Sequence, residues 1–399
     1  MVQPLRISGR AQRVEPFHVM EMAKAAAELG RAAADSDRPM VYLNIGEPDF
    51  TAPPLVQEAS YKAIREGRTQ YTQATGLEPL RERISNWYRT RFGLDVPAAR
   101  IVVTAGASAA LQLVCLALIE SGDEILMPDP SYPCNRQFVN AADGRAVLIP
   151  TTAAQRFQLS ADLVAQNWKT GVTRGVLLAS PSNPTGTSIH PDELRRIHAL
   201  VAERGGVTIV DEIYLGLGYD PTFGHSALAI DESVISINSF SKYFSMTGWR
   251  LGWLVAPTEL VPVIERLAQN LFICPSTVAQ HAALACFEAE SIAEYERRRG
   301  AFQARRDFLV PALDAIGLTV PVMPDGAFYA WADCTRACER LGVADSWELA
   351  FTLMRQAHVA VTPGRDFGHA QTSRFIRLSS ASAMDQLALA VARLKGLLA

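Results

Sequence analysis

Between about residues 100 and 260, short apolar runs alternate with helical stretches, and this alternation restricts the possible folds more than any other feature. The runs are IVVT from Ile101, EILM from Glu124, AVLIP from Ala146, GVLLAS from Gly175, GVTIVDE from Gly206, SVISINSF from Ser233 and LGWLVA from Leu251. Nearly continuous apolar strands separated by helices are typical of a largely parallel sheet covered by helices on both faces. The alternation therefore predicts an α/β fold.

Beyond Leu260 the pattern becomes mostly helical, as in EYERRRGAFQARRDFL. It then gives two short strand patterns, AFYAWAD and FIRLSS, and a last helix from Met384. This change predicts a second, smaller α+β domain. The run Arg297–Arg299 has Glu294 and Glu296 as helical neighbours, so we expect it to lie on a solvated face.

Composition narrows the class of protein. The 399 residues are 49% hydrophobic, which is typical of a globular protein large enough to be an enzyme. The 38 basic and 41 acidic residues give a net charge of -3, so no overall positive field attracts nucleic acid or an anionic membrane. We therefore expect neither as a partner.

Three further patterns concern the membrane, the compartment and metals. Ile101 to Ile119 carries no charge, but IVVTAG followed by a helical pattern fits a buried strand and helix better than a membrane span. The first residues show no secretory signal, so we expect a cytoplasmic protein. The six cysteines form no Cys-x-x-Cys pair, and no metal site is expected.

Lys242 is one of only five lysines, against 33 arginines. Its surroundings, SFSKYFSMTGWR, are uncharged up to Arg250 and partly aromatic, and desolvation there favours the neutral amine that attacks carbonyl groups. Ser239, Ser241 and Arg250 add hydroxyl and guanidinium donors, which suit a phosphate dianion. The segment Thr104–Ser108, where a strand turns into a helix, suggests a second group of phosphate-binding donors.

Asp211 ends an apolar strand and has two alternative interpretations. It could hold magnesium in a nucleotide hydrolase, but the sequence has no Gly-x-x-x-x-Gly-Lys-Ser/Thr loop to accompany it. The other interpretation is a carboxylate that pairs with a protonated ring nitrogen, with the Tyr214 phenol directed at the same ligand.

Taken together, these residues resemble the class I aminotransferases, which depend on pyridoxal phosphate and have fold type I. Nine motifs occur in the family's order from about Arg13 to the last helix: NIGEPDF at Asn44, QYT at Gln70, GAS at Gly106, PSYP at Pro130, PSNPTG at Pro181, DEIY at Asp211, SFSK at Ser239, GWR at Gly248 and FIRLS at Phe375. The resemblance implies a mostly parallel seven-stranded sheet between helices. It also implies an N-terminal arm (1–14), a small domain (15–50 with 295–399) and a large cofactor-binding domain (51–294).

The resemblance also implies residue roles toward pyridoxal 5'-phosphate. Lys242 forms a Schiff base with the cofactor and moves the substrate proton, and Asp211 keeps the pyridine nitrogen protonated. The remaining cofactor contacts are Tyr214 and Asn183 at the ring oxygen, Tyr132 on the ring face, and Gly106, Ala107, Ser108, Ser239, Ser241 and Arg250 at the phosphate. Tyr71 matches a tyrosine that reaches the phosphate in the neighbouring subunit, which implies a homodimer with shared active sites.

Arg377 is expected to bind the substrate α-carboxylate in a bidentate contact, helped by the Gly46 N–H. Tyr132 and Asn183 complete the implied substrate contacts. The segment PFHVM (16–20) holds no Lys or Arg, so we expect small, apolar or aromatic amino acids to be preferred over aspartate and glutamate, with a 2-oxo acid as the second substrate. Two alternatives stay open: a carbon–sulfur β-lyase on the same fold, and a non-catalytic sensor.

Overall fold

The computed structural model describes residues 5–16, 18–32 and 38–398. In this part of the chain the strands are β1 Val41–Tyr42, β2 Ile101–Thr104, β3 Glu124–Asp129, β4 Arg145–Pro150, β5 Thr173–Ala179, β6 Val207–Asp211, β7 Ile235–Ser239, β8 Gly252–Val255, β9 Tyr329–Asp333, β10 Val359–Ala360, β11 Thr362–Pro363 and β12 Phe375–Ser379.

The helices of the same ranges are α1 Gly9–Arg13, α2 Val19–Ala32, α3 Pro54–Arg65, α4 Glu78–Phe92, α5 Ala107–Leu118, α6 Pro133–Ala141, α7 Ala161–Asn167, α8 Pro191–Glu203, α9 Val261–Leu271, α10 Thr277–Leu284, α11 Ala289–Asp314, α12 Thr335–Leu341, α13 Ser346–Thr352 and α14 Met384–Leu398.

The central sheet has seven strands in the order β2-β8-β7-β6-β5-β3-β4. Strand β8 is antiparallel to both neighbours, and the pairs from β7 through β6, β5 and β3 to β4 are parallel. The predicted α/β fold with a mostly parallel sheet is confirmed, and all seven apolar runs form its strands. Because β2, β7, β6, β5 and β3 point the same way, their carboxyl ends share one edge, where open α/β sheets bind ligands.

The uncharged segment from Ile101 to Ile119 forms β2 and α5, as the sequence predicts. Among the described helices, none is both long and apolar enough to cross a membrane.

The smaller α+β part contains two sheets, one pairing β1 with β10 and the other ordered β11-β12-β9. Its apolar core is built largely from α2, α13, α14 and the end of α11. Helix α11 also places Tyr295 and Phe302 in the aromatic core beside the large sheet. The predicted domain boundary at 294/295 falls inside this helix, and the boundaries stay a prediction.

The Arg297–Arg299 run lies on α11, and the expectation of a solvated face is wrong for its middle member. Arg298 is only 7% exposed, and its guanidinium donates to Glu294 and to the carbonyl oxygen of Thr51. Long side chains on one helix face turn toward neighbouring segments when a carbonyl or carboxylate is within reach.

Candidate active site

A cavity of about 600 Å³ opens at the carboxyl edge of the large sheet. The predicted site residues that line it are Gly46, Ala107, Ser108, Tyr132, Asn183, Asp211, Tyr214, Ser239, Ser241, Lys242, Arg250 and Arg377. They come from segments distant in sequence, since each strand delivers its own loop to the common edge. Of the predicted residues, Gly106 and Tyr71 are not part of the lining.

Lys242 lines this cavity and follows the end of β7 by three residues. Its Nζ donates a hydrogen bond of 2.6 Å to the carbonyl oxygen of Gly46. Burial is the largest cause that lowers the pKa of Lys242 to about 8, and the nearby Arg377 and Arg250 charges add to it. The amine is therefore far closer to its neutral, nucleophilic form than an exposed lysine is at the same pH.

Asp211 is the last residue of β6 and is buried. Burial raises its pKa to about 6, against the hydrogen bonds it accepts from Asn135 Nδ2 at 3.2 Å and from the backbone N–H of Ile213 at 3.3 Å. A carboxylate held in this way is stabilised when a cation lies opposite it. The environment suits a protonated ring nitrogen.

The start of α5 and the segment from Ser239 to Arg250 form an anion-binding corner. Helix α5 has no side-chain cap, so its first N–H groups are available to a ligand. Gly106 precedes this helix with φ 83°, and a Cβ there would lie 2.6 Å from Nη2 of Arg250. Glycine is thus required at this position, both by backbone conformation and by the close guanidinium.

Arg377 lines the same cavity from β12 and is 4% exposed. Its Nη1 donates to Asn183 Oδ1 at 2.9 Å, and its Nη2 donates to the carbonyl oxygen of Asn44 at 2.9 Å and to Thr362 Oγ1 at 3.3 Å. Its Nε has no hydrogen-bond partner within the described chain. A buried guanidinium with spare donors and no acidic partner suits a carboxylate ligand.

Tyr214 follows Asp211 by three residues and is buried beside Lys242. Its hydroxyl lies 2.7 Å from the hydroxyl of Tyr329, on β9. Asn183, whose amide oxygen accepts from Arg377, retains its NH₂ group as a donor toward the same region. The two side chains expected at the ring oxygen therefore line one cavity together.

Tyr71 is 79% exposed and lies outside the cavity lining of its own chain. A second cavity of about 510 Å³ adjoins the first and shares Glu47, Thr247 and Gly248 with it. The role of Tyr71 in a neighbouring subunit stays a prediction.

Sequence reasoning missed several residues that contact the predicted site, Asn135 and Tyr329 among them. Asn135, which donates to Asp211, lies one helical turn after Tyr132, and this spacing was a usable signal. Tyr329 gave no such signal, because its contact with Tyr214 joins segments 115 residues apart. Phe17, part of the segment on which the substrate expectation rests, lies outside the described residues.

Comparison with known proteins then decides the family. The model of the family described as aminotransferase class I and II matches residues 38–394. The chain belongs to this family. It is 36% identical to the valine–pyruvate aminotransferase of Mycobacterium tuberculosis over 96% of both chains. An aminotransferase structure from Mycobacterium tuberculosis matches with a TM-score of 0.92 and 35% identity over 99% of both chains. Thermus thermophilus aspartate aminotransferase with maleate matches with a TM-score of 0.90 and 30% identity over 99% of this chain and all of that one.

Family membership makes the protein a transaminase and pyridoxal 5'-phosphate its cofactor. The relatives' names favour transamination over the β-lyase alternative. The aminotransferase site also fits this cofactor chemically: a buried amine of lowered pKa, a buried carboxylate suited to a cation, and a corner of uncapped N–H groups beside Arg250 lie around one cavity.

Proposed function

We propose that the protein transfers amino groups by a ping-pong mechanism between amino acids with small, apolar or aromatic side chains and 2-oxo acids, with Lys242 as the residue that binds the cofactor. The observation that carries this proposal is the single cavity that holds Lys242, Asp211 and Arg377. The three side chains differ in role: nucleophile and proton carrier, charge partner, and carboxylate receptor.

Bound pyridoxal phosphate supplies an aldehyde for the lysine and a ring that takes up the electrons of a deprotonated α-carbon. Asp211 holds the ring nitrogen's proton by its negative charge, which favours the charged form of that nitrogen. Ser239, Ser241, Arg250 and the N-terminal end of α5 hold the phosphate by charge-assisted hydrogen bonds. These contacts fix the cofactor at both ends.

Arg377 binds the α-carboxylate and thereby sets the position of the α-carbon relative to Lys242 Nζ. When a substrate amino acid has displaced Lys242 from the cofactor, the neutral amine of Lys242 accepts the α-proton and then donates it to the cofactor. The lysine thus acts first as base and then as acid. Tyr214 and Asn183 direct donors at the ring oxygen. Burial, which lowers the pKa of Lys242 to about 8, increases the fraction of neutral amine available for this step.

The proposed substrate preference is supported by the side chains of the cavity wall. Apart from the polar groups assigned above, the lining includes Val19, Met20 and Ala23 from α2, Leu111 from α5, and Phe138 from α6. The cations among the described lining residues are Lys242, Arg250 and Arg377. In this proposal each of them already binds the cofactor or the substrate α-carboxylate. A second carboxylate therefore lacks a cationic receptor there. The name of the valine–pyruvate relative also supports this preference.

We further propose a homodimer in which Tyr71 contacts the phosphate bound by the neighbouring subunit. Its high exposure supports this role, since a tyrosine so open to solvent has little packing function in its own chain. The cavity adjoining the phosphate-binding segment gives such a side chain a route of approach. A cytoplasmic location stays a prediction.

The test is a half-reaction on purified protein loaded with pyridoxal phosphate. The visible absorption band is followed while valine, leucine, phenylalanine, alanine or aspartate is added without an oxo acid. We expect the band to be lost, with one equivalent of 2-oxo acid released, and expect the apolar substrates to react at least about tenfold more efficiently than aspartate.

Lys242→Ala is expected to abolish this reaction, whereas Lys62→Ala, which changes an exposed lysine on α3, leaves it unaltered. Higher efficiency for aspartate contradicts the proposed substrate class. Parent-rate turnover by Lys242→Ala contradicts the role of the lysine.

A further inference from the structure

Tyr329 is used neither by the sequence motifs nor by the proposed mechanism. It begins β9, is 3% exposed and lines the cavity. Its hydroxyl lies 2.7 Å from that of Tyr214. The same hydroxyl lies close to Gly46, since a Cβ added at Gly46 would be 2.9 Å from it.

The direction of the Tyr214–Tyr329 hydrogen bond follows from counting protons. Each phenol has one proton to donate and can accept as well. In the proposed function the Tyr214 hydroxyl donates its hydrogen bond to the cofactor's ring oxygen. The proton that lies between the two phenols must then belong to Tyr329. A phenol that accepts a hydrogen bond in this way is a better donor, because linked hydrogen bonds polarise each other.

The ring of Tyr329 has a separate contact. The guanidinium carbon of Arg377 lies 4.5 Å from the centre of this ring and 5.1 Å from the centre of the Phe367 ring. Two aromatic rings thus flank the group expected to receive the substrate carboxylate. Flanking rings restrict the guanidinium plane and attract its charge.

We propose that Tyr329 is a positioning residue with two separable contributions: its hydroxyl donates to Tyr214 and directs the Tyr214 proton to the cofactor, and its ring orients Arg377 for the substrate carboxylate. This inference rests on the proposed function, because it assumes that Tyr214 contacts the ring oxygen. The hydroxyl acts on the cofactor through Tyr214 and the ring acts on substrate binding through Arg377, so different substitutions test the two contributions.

Several charged and titratable groups surround the pair and must stay unchanged in the test. Arg377 lies beside both phenols, and Tyr132 faces Tyr214 from the start of α6. Lys242 Nζ lies 5.7 Å from the centre of the Tyr214 ring. Tyr329→Phe keeps the ring and leaves these groups in place, so that a change in titration in this variant reports on the hydroxyl.

The hydroxyl is tested by the pH midpoint of the visible band of bound cofactor in Tyr329→Phe. A donor hydrogen bond to an anionic oxygen favours the form with fewer protons. Weakening the Tyr214 bond therefore moves the midpoint upward, by about half a unit to one unit. Tyr329→Leu also lacks the hydroxyl and is expected to move the midpoint in the same direction, which keeps the test available if one variant folds poorly.

A double-mutant cycle separates this effect from general loosening of the site. In a Tyr214→Phe background, Tyr329→Phe is expected to cause no further shift, because the residue through which it acts is gone. Tyr219→Phe is the matched control: this tyrosine donates to the carbonyl oxygen of Ala327, two residues before Tyr329, but is not among the lining residues. It is expected to leave the midpoint unchanged.

The ring is tested with isovalerate, a carboxylate that lacks the amino group, titrated by its effect on the same band. Tyr329→Phe is expected to bind it as the parent does, and Tyr329→Leu about three- to tenfold more weakly. An unmoved midpoint in Tyr329→Phe, or an equal shift in the Tyr214→Phe background, overturns the hydroxyl role. Equal isovalerate affinity in both variants overturns the ring role. Absence of any visible band in the parent protein instead contradicts the proposed function.

Discussion

Burial moves the pKa values of Lys242 and Asp211 toward each other. Desolvation lowers the pKa of the lysine to about 8 and raises that of the aspartate to about 6. Each group is held in a place where its charge is costly. In the proposed function each group loses that cost when the cofactor binds, the amine by covalent attachment and the carboxylate by facing a cation. The pKa values of these two groups therefore depend strongly on where the side chains are buried, and not on residue type alone.

The lowered pKa of Lys242 predicts how cofactor uptake depends on pH. Only the neutral amine attacks an aldehyde, so in the cofactor-free protein the rate at which the visible band appears is expected to rise with pH and to level off above about 8. Stopped-flow absorbance measures this rate. A model lysine peptide is the control and rises only near pH 10; the same high midpoint in the protein contradicts the prediction.

Asn135 gives a second prediction at this scale. Its Nδ2 donates to Asp211, and a donor to the charged form lowers a carboxyl pKa, so Asn135→Ala raises the pKa of Asp211 further. The acid limb of the half-reaction's pH–rate profile is expected to move upward, and a shift of about one unit gives a loss of about fivefold at pH 6 that approaches tenfold at lower pH. Asn140→Ala, on the same helix but bonded to Gln137 and to the Ala146 N–H, is the control. A loss that is equal at every pH argues against this role.

The residues that sequence could place at the site are those in contiguous motifs. Lys242 with Ser239 and Ser241 is one example, since their spacing is set within one loop. Tyr329 could not be placed, because its proximity to Tyr214 depends on how β9 and the smaller sheet meet the large one. The burial of Arg298 could not be predicted either, because it depends on the packing of the distant segment around Thr51 against α11.

At the scale of elements, α2 is fixed by a carboxylate far away in the sequence. Asp366 accepts hydrogen bonds from the backbone N–H groups of His18, at 3.1 Å, and of Val19, the first residue of the helix. An acidic side chain at this position satisfies free N–H groups and interacts favourably with the positive helix end. Because Val19 and Met20 belong to the cavity wall, this cap also fixes part of the proposed substrate pocket.

Asp366→Ala is therefore expected to affect stability and selectivity together. Loss of a cap costs about 1 to 2 kcal/mol in the free energy of unfolding, measured by denaturant titration. The KM for leucine is expected to rise more than the KM for alanine, because the longer leucine side chain has more apolar surface to place against the wall. Asp192→Ala, in the exposed first turn of α8, is the control. Equal KM changes for both substrates contradict the link between cap and pocket.

For the strands, the sequence predicts their existence and approximate position but not their order or direction in the sheet. The seven apolar runs and their alternation with helices predicted the sheet, because burial on both faces leaves that pattern in the sequence. The antiparallel direction of β8 and the position of β2 at the edge depend on pairings between distant strands, which no local pattern records.

At the scale of the whole molecule, the proposed dimer predicts complementation between inactive variants. If Tyr71 serves the neighbouring subunit, a mixed dimer of Lys242→Ala and Tyr71→Ala chains contains one site with both residues intact. Refolding the two variants together at equal amounts is expected to restore about a quarter of the parent sites. Activity no higher than the sum of the separate variants places Tyr71 in its own chain's site. Sedimentation of each variant is the control for dimer formation.

Helix α11 contributes Tyr295 and Phe302 to the aromatic core beside the large sheet and Leu309 and Leu313 to the core of the smaller part. Between them, Arg305 makes two hydrogen bonds of 2.8 Å to Asp49. One continuous helix thus contributes to two cores, so that unfolding of either core disrupts the helix and with it the other core. The consequence is thermodynamic cooperativity: the two cores melt as one unit, and a calorimetric scan shows a single heat-absorption peak instead of two.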